Sequence, residues 1–581
     1  MKASAILIII LVGCVLTAPV LIYGISSFSD DGVLHAAWYV GFSKQLWAGI
    51  LYPRWLPDLN GGLGSPTFFY YPPIAFFLTS LLKPFFPNDI TGAQQVGVSA
   101  SASAAVIASG IVAYLWIKNV VNTRSAVIFA ILYMITPYHL VSDLYIRSSF
   151  AELWAFVWLP LILYFTHNVL NNRRWSFVGL AISYSLLIMT HLPTTLIFSI
   201  LPLAWVAVEA EAGQKLRRLI IVSGAMFVGI GLTGIYLFPA MTTQSSVFID
   251  RLSTGYFSYQ NWLFFSRFDL WTFEKIRLSL LVIDLAVIAC STYAVINQAK
   301  PASQIRKMAS FWFGVAVTGI LMQTNISRPI WFIVTPLEKI QFPWRFNVIV
   351  SLAVAVLCAY VISCVKNSGS FKFTKATVIA LLSVSIWIPS AGYGMWTYFM
   401  PEDGDRASTT VLNAPEYRPR WSQSMDAIDW VTTADEDFWI SQMQTEYEGL
   451  MQRTGASAEN PSRVNIVDGA GQAEVISWKP REILLHVITT ARMKINISQF
   501  YYPNWRALIV GEQRELEVQP SQPDGLLSLD VPNGEYNILL KLDVGSVEFT
   551  GQMISLVTAL GLSFYILVLV LSGIKRRYSS R

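Results

Sequence analysis

Long apolar stretches, each followed by a polar interval, run through most of the chain. A helix needs about 20 predominantly apolar residues to cross a hydrocarbon core about 30 Å thick. The pattern therefore predicts a polytopic α-helical membrane protein. The predicted spans, about twelve in number, are 4–23, 92–117, 125–142, 150–167, 176–190, 193–208, 219–238, 277–296, 308–322, 345–365, 376–392 and 553–573.

The long interval 24–91 predicts a structured loop after the first span. Within it, residues 31–50 are expected to form a helix near the membrane interface, because side chains of similar character recur every three or four positions. One face of this helix would carry Asp31, His35, Trp38, Phe42 and Gln45. Residues 68–86 are apolar but interrupted by prolines, so they predict a partial or interfacial dip instead of a further span.

Residues 393–552 are more polar and contain no predicted span. Short alternating runs with turn residues between them predict a small β-sandwich in this domain. The runs are 483–488, 507–510, 526–531 and 536–540. Residues 401–470 predict mixed helix and loop. The chain is thus divided into a transmembrane domain (1–392), the α/β domain 393–552, and a final span with a basic tail (553–581).

Basic residues occur in alternate intervals between the predicted spans. They are Lys2, Lys118, Arg124, Arg173, Arg174, Lys215, Arg217, Arg218, Lys300, Arg306, Lys307, Lys366, Lys372, Lys375, Lys575, Arg576 and Arg577. The positive-inside rule makes their side cytoplasmic. It predicts a multi-pass plasma-membrane protein with both termini inside, and an extracytoplasmic position for loop 24–91 and domain 393–552. Thr17-Ala18-Pro19 is a poor cleavage site, so the first span is predicted to be a retained anchor.

Composition excludes several classes of function. Hydrophobic residues make up 54% of the chain and charged residues 13%, whereas globular proteins carry about 25% charged residues. The net charge of +5 follows the loops of one membrane side, so no nucleic-acid partner is predicted. All four cysteines lie in or beside predicted spans, which predicts no disulfide framework in the domain 393–552. No Cys/His cluster has the spacing of a zinc site.

The first candidate for chemistry is the acid pair Asp30 and Asp31, followed one helical turn later by His35. Ionisable residues near lipid are expensive and are usually functional. A carboxylate here could act as a general base or, together with its neighbour, hold a divalent cation such as Mg²⁺ or Mn²⁺. The alternative is that Asp30 or Asp31 caps the helix that begins at Gly32, a common role for aspartate. Asp30 is the better candidate for the cap.

Further ionisable residues lie at predicted span ends on the same side. Arg147 and Glu152, close to Tyr145, could clamp a phosphate or form a local ion pair that fixes the loop. His191 lies on a tight turn, where a histidine is more often structural than catalytic. Arg345 would lie at headgroup level, and it could contact a lipid phosphate or only extend towards bulk headgroups.

The segment 413–420 (Asn-Ala-Pro-Glu-Tyr-Arg-Pro-Arg) is a fifth candidate, with a solvated loop as the alternative. Considered together, acids and arginines concentrate at the same ends of the spans. An enzyme that uses a lipid-phosphate-linked donor needs cations for the phosphate and an acid to deprotonate an acceptor hydroxyl.

Several motifs in this order resemble those of the integral membrane proteins called "6-pyruvoyl-tetrahydropterin synthase-related", which are close to the YfhO-like proteins. Both resemble the GT-C superfamily of polyprenyl-phosphate-sugar-dependent glycosyltransferases. The matching segments are Asp31-Gly-Val-Leu-His35, Tyr52-Pro-Arg-Trp55, Gly61–Pro66, Phe69-Tyr-Tyr-Pro-Pro73, Pro137-Tyr-His139, Tyr145-Ile-Arg147, Ala151-Glu152, His191-Leu-Pro193, Phe342-Pro-Trp-Arg-Phe346, Glu416-Tyr417 and Tyr501-Tyr-Pro-Asn-Trp505. They cover nearly the whole chain.

The resemblance implies a GT-C-like fold and transfer of a sugar from a polyprenyl-phosphate donor to a glycan, lipid or protein acceptor at the extracytoplasmic face. It implies that Asp31 is the catalytic base, and that Arg147 and Arg345 bind the donor phosphate. We predict catalytic roles for Asp31, His35 and Glu152. Residues predicted to bind substrate are Asp30, Tyr70, Tyr145, Arg147, His191 and Arg345. The family label suggests pterin chemistry, but the chain lacks a zinc-binding histidine triad.

Two alternatives remain open. A transporter or flippase for a lipid-linked glycan would place ionisable residues in the middle of spans, and Asp284 is one such residue. A non-catalytic partner in envelope assembly would use its β domain to bind a glycan or a protein. In that case Asp31 would serve only as a helix cap.

Overall fold

The computed structural model describes most of the chain. The described residues are 2–25, 31–86, 96–265, 303–367, 414–422, 436–456, 463–512 and 514–579, with the single positions 285, 288, 289, 292 and 392. Two predicted spans, 277–296 and 376–392, therefore lie outside the described residues, apart from those single positions. In segment 401–470, the same is true of 401–413, 423–435 and 457–462.

Helices make up most of the structure. The α-helices are α1 (Lys2–Tyr23), α2 (Gly32–Trp47), α3 (Thr67–Tyr70), α4 (Ile74–Ser80), α5 (Val96–Ile117), α6 (Thr123–Ile135), α7 (Phe150–Leu170), α8 (Ser176–Ile188), α9 (Leu192–Phe198), α10 (Ile200–Glu209), α11 (Lys215–Leu232), α12 (Gly234–Thr242), α13 (Tyr259–Trp262), α14 (Ser303–Leu321), α15 (Arg328–Ile333), α16 (Asn347–Asn367), α17 (Glu436–Thr454) and α18 (Ser546–Ser579). A π-helix, Tyr138–Ile146, follows α6. Short 3₁₀ helices are Lys83–Phe85, Ala212–Gln214, Gln244–Ser246, Ile249–Ser253, Gly255–Phe257, Asn325–Ser327, Thr335–Ile340, Pro343–Phe346 and Pro415–Tyr417.

Seven helical segments within the described residues are long and apolar enough to cross a membrane. They are Ala3–Tyr23, Val96–Ile117, Thr123–Ile146, Phe150–Leu170, Leu192–Glu209, Pro343–Ile362 and Ser546–Ser572. Each matches a predicted span. The predicted span 219–238 is a bent pair, α11 and α12, whose axes differ by 74°, and it would be the eighth if counted as one.

The predicted number of about twelve spans is not confirmed. Predicted span 176–190 is the 13-residue helix α8, about 20 Å long and too short to cross the core alone. Predicted span 308–322 corresponds to α14, which ends at Leu321 and whose first turns carry Arg306 and Lys307, so that its apolar part is shorter. Segment 68–86 consists of short helices, as the proline breaks predict.

Close helix packing depends on small residues. In α5, an added Cβ at Gly110 would lie 2.5 Å from the sulfur of Met134 in α6. In α1, a Cβ at Gly13 would lie 2.6 Å from Ile107 of α5. Glycine thus lets these three helices approach closely. The span Pro343–Ile362 is 94% buried and lies at the centre of the bundle, whereas Ser546–Ser572 is 6% buried and lies at its edge.

Two antiparallel sheets form the C-terminal domain. The strands are β1 (Val464–Asp468), β2 (Gly471–Lys479), β3 (Glu482–Thr489), β4 (Met493–Phe500), β5 (Trp505–Ile509), β6 (Arg514–Leu516), β7 (Val518–Pro520), β8 (Leu526–Val531) and β9 (Gly534–Leu542). One sheet has the order β1-β4-β8-β7 and the other β2-β3-β9-β5-β6. Alternate residues are buried, for example Ile483, Leu485 and Val487 in β3. The four predicted runs correspond to β3, β5, β8 and β9.

The glycine-rich run 61–64 joins the first loop to this domain. The amide of Phe500 donates to the carbonyl of Leu63 at 2.7 Å. Arg463 donates to the carbonyl of Gly62 at 3.2 Å. Gly61, Gly62 and Gly64 have φ values of 65°, 89° and 87°, which favour glycine. This run therefore serves the contact between the loop and the β domain.

A buried charge cluster makes a second contact between these parts. Arg54 of the first loop lies 3.1 Å from Glu548 of α18. Arg481, in the β2–β3 turn, lies 3.0 Å from the other oxygen of Glu548. The side chains of Arg54 and Glu548 are only 3% and 6% exposed. The first loop, the β domain and the last helix thus meet at one carboxylate.

Candidate active site

Arg147 is the centre of a cluster of carboxylates at one end of the bundle. It follows the π-helix, and the chain turns sharply at Ser148, which has a φ of 49°, before α7 begins. Its guanidinium lies 3.0 Å from Asp143, 3.1 Å from Glu152 and 3.2 Å from Asp31. The π-helix, α7 and the start of α2 each supply one acid.

Exposure distinguishes the three acids. The side chains of Asp143 and Glu152 have no exposed surface, and that of Arg147 is 5% exposed. The side chain of Asp31 is 33% exposed. Asp31 is therefore the one member of this cluster whose carboxylate a substrate can reach.

Asp31 stands at the N-cap position of α2, but its side chain makes no capping hydrogen bond. Its amide donates to the carbonyl of Arg147 at 3.0 Å, and its carboxylate accepts from the Arg147 guanidinium. Partial burial raises the pKa of Asp31, but the charges of Arg147, His35 and Arg345 outweigh it, and the net pKa is below the ordinary value. Asp31 is consequently ionised at neutral pH. The side chain of Asp31 is therefore held by Arg147 and does not cap α2.

His35 lies one turn after Asp31, as its spacing predicts. Its Nε2 is 3.0 Å from the hydroxyl of Tyr71. Its ring packs against Trp38, Phe76 and Phe150. Burial lowers the pKa of His35 from its ordinary value, although Asp31 opposes the shift. The imidazole is therefore neutral at neutral pH and is part of an aromatic wall beside Asp31.

Arg345 differs from Arg147 in its partners. Its Nη1 donates to the carbonyl of Ile340 at 2.7 Å and to Gln341 at 3.3 Å. No carboxylate of the described residues forms an ion pair with it, and its buried Nε has no hydrogen-bond partner among them. The positive charge of Arg345 nevertheless contributes to lowering the pKa of Asp31. Arg345 can therefore still bind an anionic group near Asp31.

The other predicted site residues are held by hydrogen bonds to other groups of the protein. Glu152 accepts from the hydroxyl of Tyr138 at 2.8 Å and contacts Arg147. The local ion pair, one of two alternatives for Arg147, is therefore present. His191 contacts Thr194 through Nδ1 at 2.7 Å and is 7% exposed. The hydroxyl of Tyr145 donates to the carbonyl of Leu16.

Tyr70, too, is held by hydrogen bonds within the protein. Its hydroxyl lies 2.8 Å from the carbonyl of Thr243 and 2.8 Å from the hydroxyl of Tyr502 in the β domain. Its side chain is buried. Tyr70 thus connects the first loop, to which it belongs, with the β domain. Its predicted contact with substrate stays a prediction. Asp30 lies outside the described residues.

A divalent cation was one of the predicted possibilities beside Asp31. No group of three or more His, Cys, Asp or Glu side chains among them is arranged to hold a metal ion. The position between Asp31, Asp143 and Glu152, where a cation would be expected, is occupied by the guanidinium of Arg147. The ligand role predicted for Asp30 stays a prediction, because that residue is not described.

Two acids near Asp31 were not among the predicted site residues. Asp143 precedes Arg147 by four residues, a spacing that brings helical side chains together and could have revealed the pair. Glu416 appeared in the candidate segment 413–420 and in the matching pair Glu416-Tyr417, but it was assigned no role of its own. Burial, together with the charge of Asp31, raises the pKa of Glu416 to about 7.

Glu416 belongs to a segment that packs over the first loop. Its neighbour Tyr417 stacks on Tyr70 with ring planes 7° apart and contacts Trp38 and Tyr71 at their edges. The amide of Arg420 donates to the carbonyl of Ser246 at 3.0 Å. These contacts bring a further carboxyl group, in addition to Asp143 and Glu152, into the surroundings of Asp31.

Solved structures with low similarity include two kinds of glycosyltransferase. Arabinofuranosyltransferase AftD from mycobacteria is 15% identical, with a TM-score of 0.42, over 69% of this chain and 27% of AftD. The Archaeoglobus fulgidus oligosaccharyltransferase, in a complex with zinc and sulfate, is 14% identical, with a TM-score of 0.39, over 67% of this chain and 53% of that one. The chain thus spans about a quarter of AftD and about half of the oligosaccharyltransferase.

No protein of curated function matches the chain. Residues 68–393, more than half of the sequence, match the family described as "6-pyruvoyl-tetrahydropterin synthase related domain; membrane protein". That segment includes the π-helix, Arg147, Glu152, His191 and Arg345. The chain belongs to this 6-pyruvoyl-tetrahydropterin synthase related family of membrane proteins.

Proposed function

We propose that this protein is a membrane glycosyltransferase that transfers a sugar from a polyprenyl-phosphate-linked donor to an acceptor at the extracytoplasmic face of the plasma membrane. In this proposal both termini are cytoplasmic. The observation that carries it is Asp31, the accessible and ionised carboxylate of the Arg147 cluster. Arg345 supports it, because this guanidinium near Asp31 has no acidic partner among the described residues.

The proposed reaction is a single displacement with inversion. Asp31 accepts the proton of the acceptor hydroxyl, and the oxygen forms a bond with the anomeric carbon of the donor sugar. The bond between that carbon and the phosphate oxygen breaks, and its electron pair leaves with the polyprenyl phosphate. Arg345 stabilises the negative charge that develops on the phosphate.

Arg147 and Glu152 have positioning roles in this proposal. Arg147 already contacts three carboxylates, so a donor phosphate would add a fourth negative group to one guanidinium. Its geometry suits the orientation of the Asp31 carboxylate better than phosphate binding. Glu152, without exposed surface, holds Arg147. His35 and Tyr71 support the same face of α2 through their mutual hydrogen bond.

The test is the replacement Asp31→Asn, with Asp58→Asn as the matched control. Asp58 lies in the same loop, and its side chain is 61% exposed. The variants would be produced in a host strain without the gene, and envelope glycans would be analysed by mass spectrometry. Loss of a general base lowers a rate by about 10²–10⁴-fold. We expect the gene-dependent sugar to disappear with Asp31→Asn and to return with Asp58→Asn.

Both variants must be present in the membrane in equal amounts for this comparison. If Asp31→Asn restores the sugar as well as the wild type does, Asp31 is not the base. Transport of a lipid-linked glycan is the alternative function, and Asp284, the predicted mid-span residue that indicates it, lies outside the described residues. In that case the donor lipid would accumulate on one side of the membrane, and a purified sample would transfer no sugar.

A further inference from the structure

A second site lies at the other end of the bundle. Helix α7 begins beside the Asp31 cluster with Glu152 and ends near Val169, about 25 Å away along a helix with a rise of 1.5 Å per residue. At that far end a cavity of about 730 Å³ opens between α8, α11 and α18. This volume is in the range of small-molecule sites. No residue of the Asp31 cluster lines it.

The cavity has an apolar body and a basic end. Phe177, Ile221, Phe227, Val228 and Leu562 contribute to its apolar walls. Arg173, Arg174 and Arg218 line it at the loop between α7 and α8 and at the start of α11. None of the residues lining it is acidic. This division matches a molecule with a hydrocarbon part and an anionic head.

The three arginines have different roles. Arg218 is buried and donates to the carbonyl of Val169 and to the side chains of Asn172 and Gln214, all at 2.7–2.8 Å. It therefore fixes the wall. Arg173 and Arg174 are exposed. Arg174 donates weakly to Ser572 at 3.3 Å, and neither residue forms an ion pair with an acid of the described chain.

The apolar part of the cavity lies against α18. Helix α11 touches α18 at Gly231, where a Cβ would lie 2.6 Å from Thr558. Phe177 of α8 contacts Tyr565 of α18 with ring centroids 5.4 Å apart. Only 6% of the span Ser546–Ser572 is buried, so α18 lies between this cavity and the bilayer.

We propose that this cavity binds an anionic phospholipid of the surrounding leaflet. The headgroup phosphate contacts Arg173 and Arg174, and one acyl chain lies along Phe177, Phe227 and Leu562. Basic pockets between membrane helices recognise anionic headgroups in this way. The lipid would hold α18 against α8 and α11, far from the Asp31 cluster. This role does not depend on the proposed sugar transfer.

The test measures lipid retained by the purified full-length protein in native mass spectrometry. The protein is equilibrated with vesicles of phosphatidylglycerol or of phosphatidylcholine. The variant Arg173→Gln/Arg174→Gln removes the proposed headgroup contacts. The matched control is Arg124→Gln/Arg306→Gln, which removes two exposed arginines from the same end of the bundle but outside the cavity.

We expect the wild type and the control to retain phosphatidylglycerol in preference to phosphatidylcholine. Each basic residue beside an anionic headgroup contributes to the binding free energy of the lipid. The loss of two such residues lowers the affinity for the lipid about 30-fold. The cavity variant should lose phosphatidylglycerol to that extent. Equal retention by the two double variants, or equal retention of both lipids by the wild type, would overturn the proposal.

Discussion

Arg147 contacts three carboxyl groups, so its guanidinium is already engaged within the cluster. Two of these groups have no exposed surface, so a substrate can meet the cluster only at Asp31. Arg345 lowers the pKa of Asp31 from outside the cluster. In the proposed reaction the donor phosphate therefore contacts Arg345 instead of Arg147.

Glu416 gives a prediction for the effect of pH on stability. The pKa of Glu416 is raised from its ordinary value of 4.5 to about 7 by burial and by Asp31. Between these two values the folded protein binds a proton that the unfolded chain has lost, so stability falls as pH rises. The fall is at most about 3 kcal/mol. Replacement Glu416→Gln should remove it.

The measurement is the thermal unfolding midpoint of the purified protein at several values between pH 4.5 and pH 7.5. Glu474→Gln, at an exposed position of β2, is the control and should keep the wild-type profile. The assignment fails if Glu416→Gln and the wild type lose stability in parallel over this interval.

The spacing of Asp31 and His35 was enough to predict that they share a helix face, because helical periodicity is local. The concentration of ionisable residues at one end of the spans was also visible, and Asp31, Arg147 and Glu152 do meet there. The contact of Tyr71 with His35 depends on how the first loop folds back, which local pattern does not specify.

At the scale of elements, the run 61–64 connects a membrane-associated loop to a β domain. Gly64 has a φ of 87°. A Cβ added at Gly64 would lie 2.1 Å from the side-chain Nε2 of Gln499 and 2.6 Å from the ring of Trp55. Alanine there would meet two obstacles. One is the left-handed backbone, and the other is lack of space.

Gly64→Ala should therefore destabilise the protein more than Gly49→Ala does. Gly49 has a similar φ of 95°, but nothing lies within 4 Å of its added Cβ. The backbone alone costs about 1–2 kcal/mol in both variants. The overlap at Gly64 adds about 1–3 kcal/mol. Hydrogen exchange of the Phe500 amide, which donates to Leu63, should quicken with Gly64→Ala.

The same exchange measurement on Gly49→Ala provides the control, because that variant leaves the Leu63 contact untouched. Similar losses of stability in both variants would show that the close approach at Gly64 has no energetic weight and that only its backbone conformation matters.

Most predicted elements correspond to observed ones where the pattern is strong. The helix predicted at 31–50 is observed as Gly32–Trp47, and the four predicted strands are present. The bend between α11 and α12 was missed. A Cβ at Gly234 would lie 2.7 Å from Ile554 of α18, so the bend accommodates packing against a helix more than 300 residues later. A pattern of apolar residues contains no such information.

For the whole molecule, Glu548 is the residue that joins three parts. Its carboxylate contacts Arg54 and Arg481, and both Arg54 and Glu548 are almost completely buried. Replacement Glu548→Gln would leave the guanidinium of Arg54 buried without a counter-charge. Breaking a buried pair in this way costs about 3–5 kcal/mol. We expect a large fall in the thermal unfolding midpoint.

Glu482→Gln is the control for Glu548→Gln. Glu482 forms a pair with Lys479 in the same β domain, but the two side chains are 37% and 66% exposed. An exposed pair contributes less than about 1 kcal/mol. The prediction is wrong if both variants unfold at the same temperature as the wild type.

The position of Glu548 also orders events during biosynthesis. A ribosome adds about 5–20 residues per second, so Arg54 is made roughly 25 to 100 s before its partner in α18. Asp31 and Arg147 become available to each other far sooner. During that delay the nascent first loop has an arginine destined for burial but still without its carboxylate. Interruption of translation before residue 548 would therefore leave Arg54 without this carboxylate, and such truncated chains should be preferred substrates for membrane quality-control proteases.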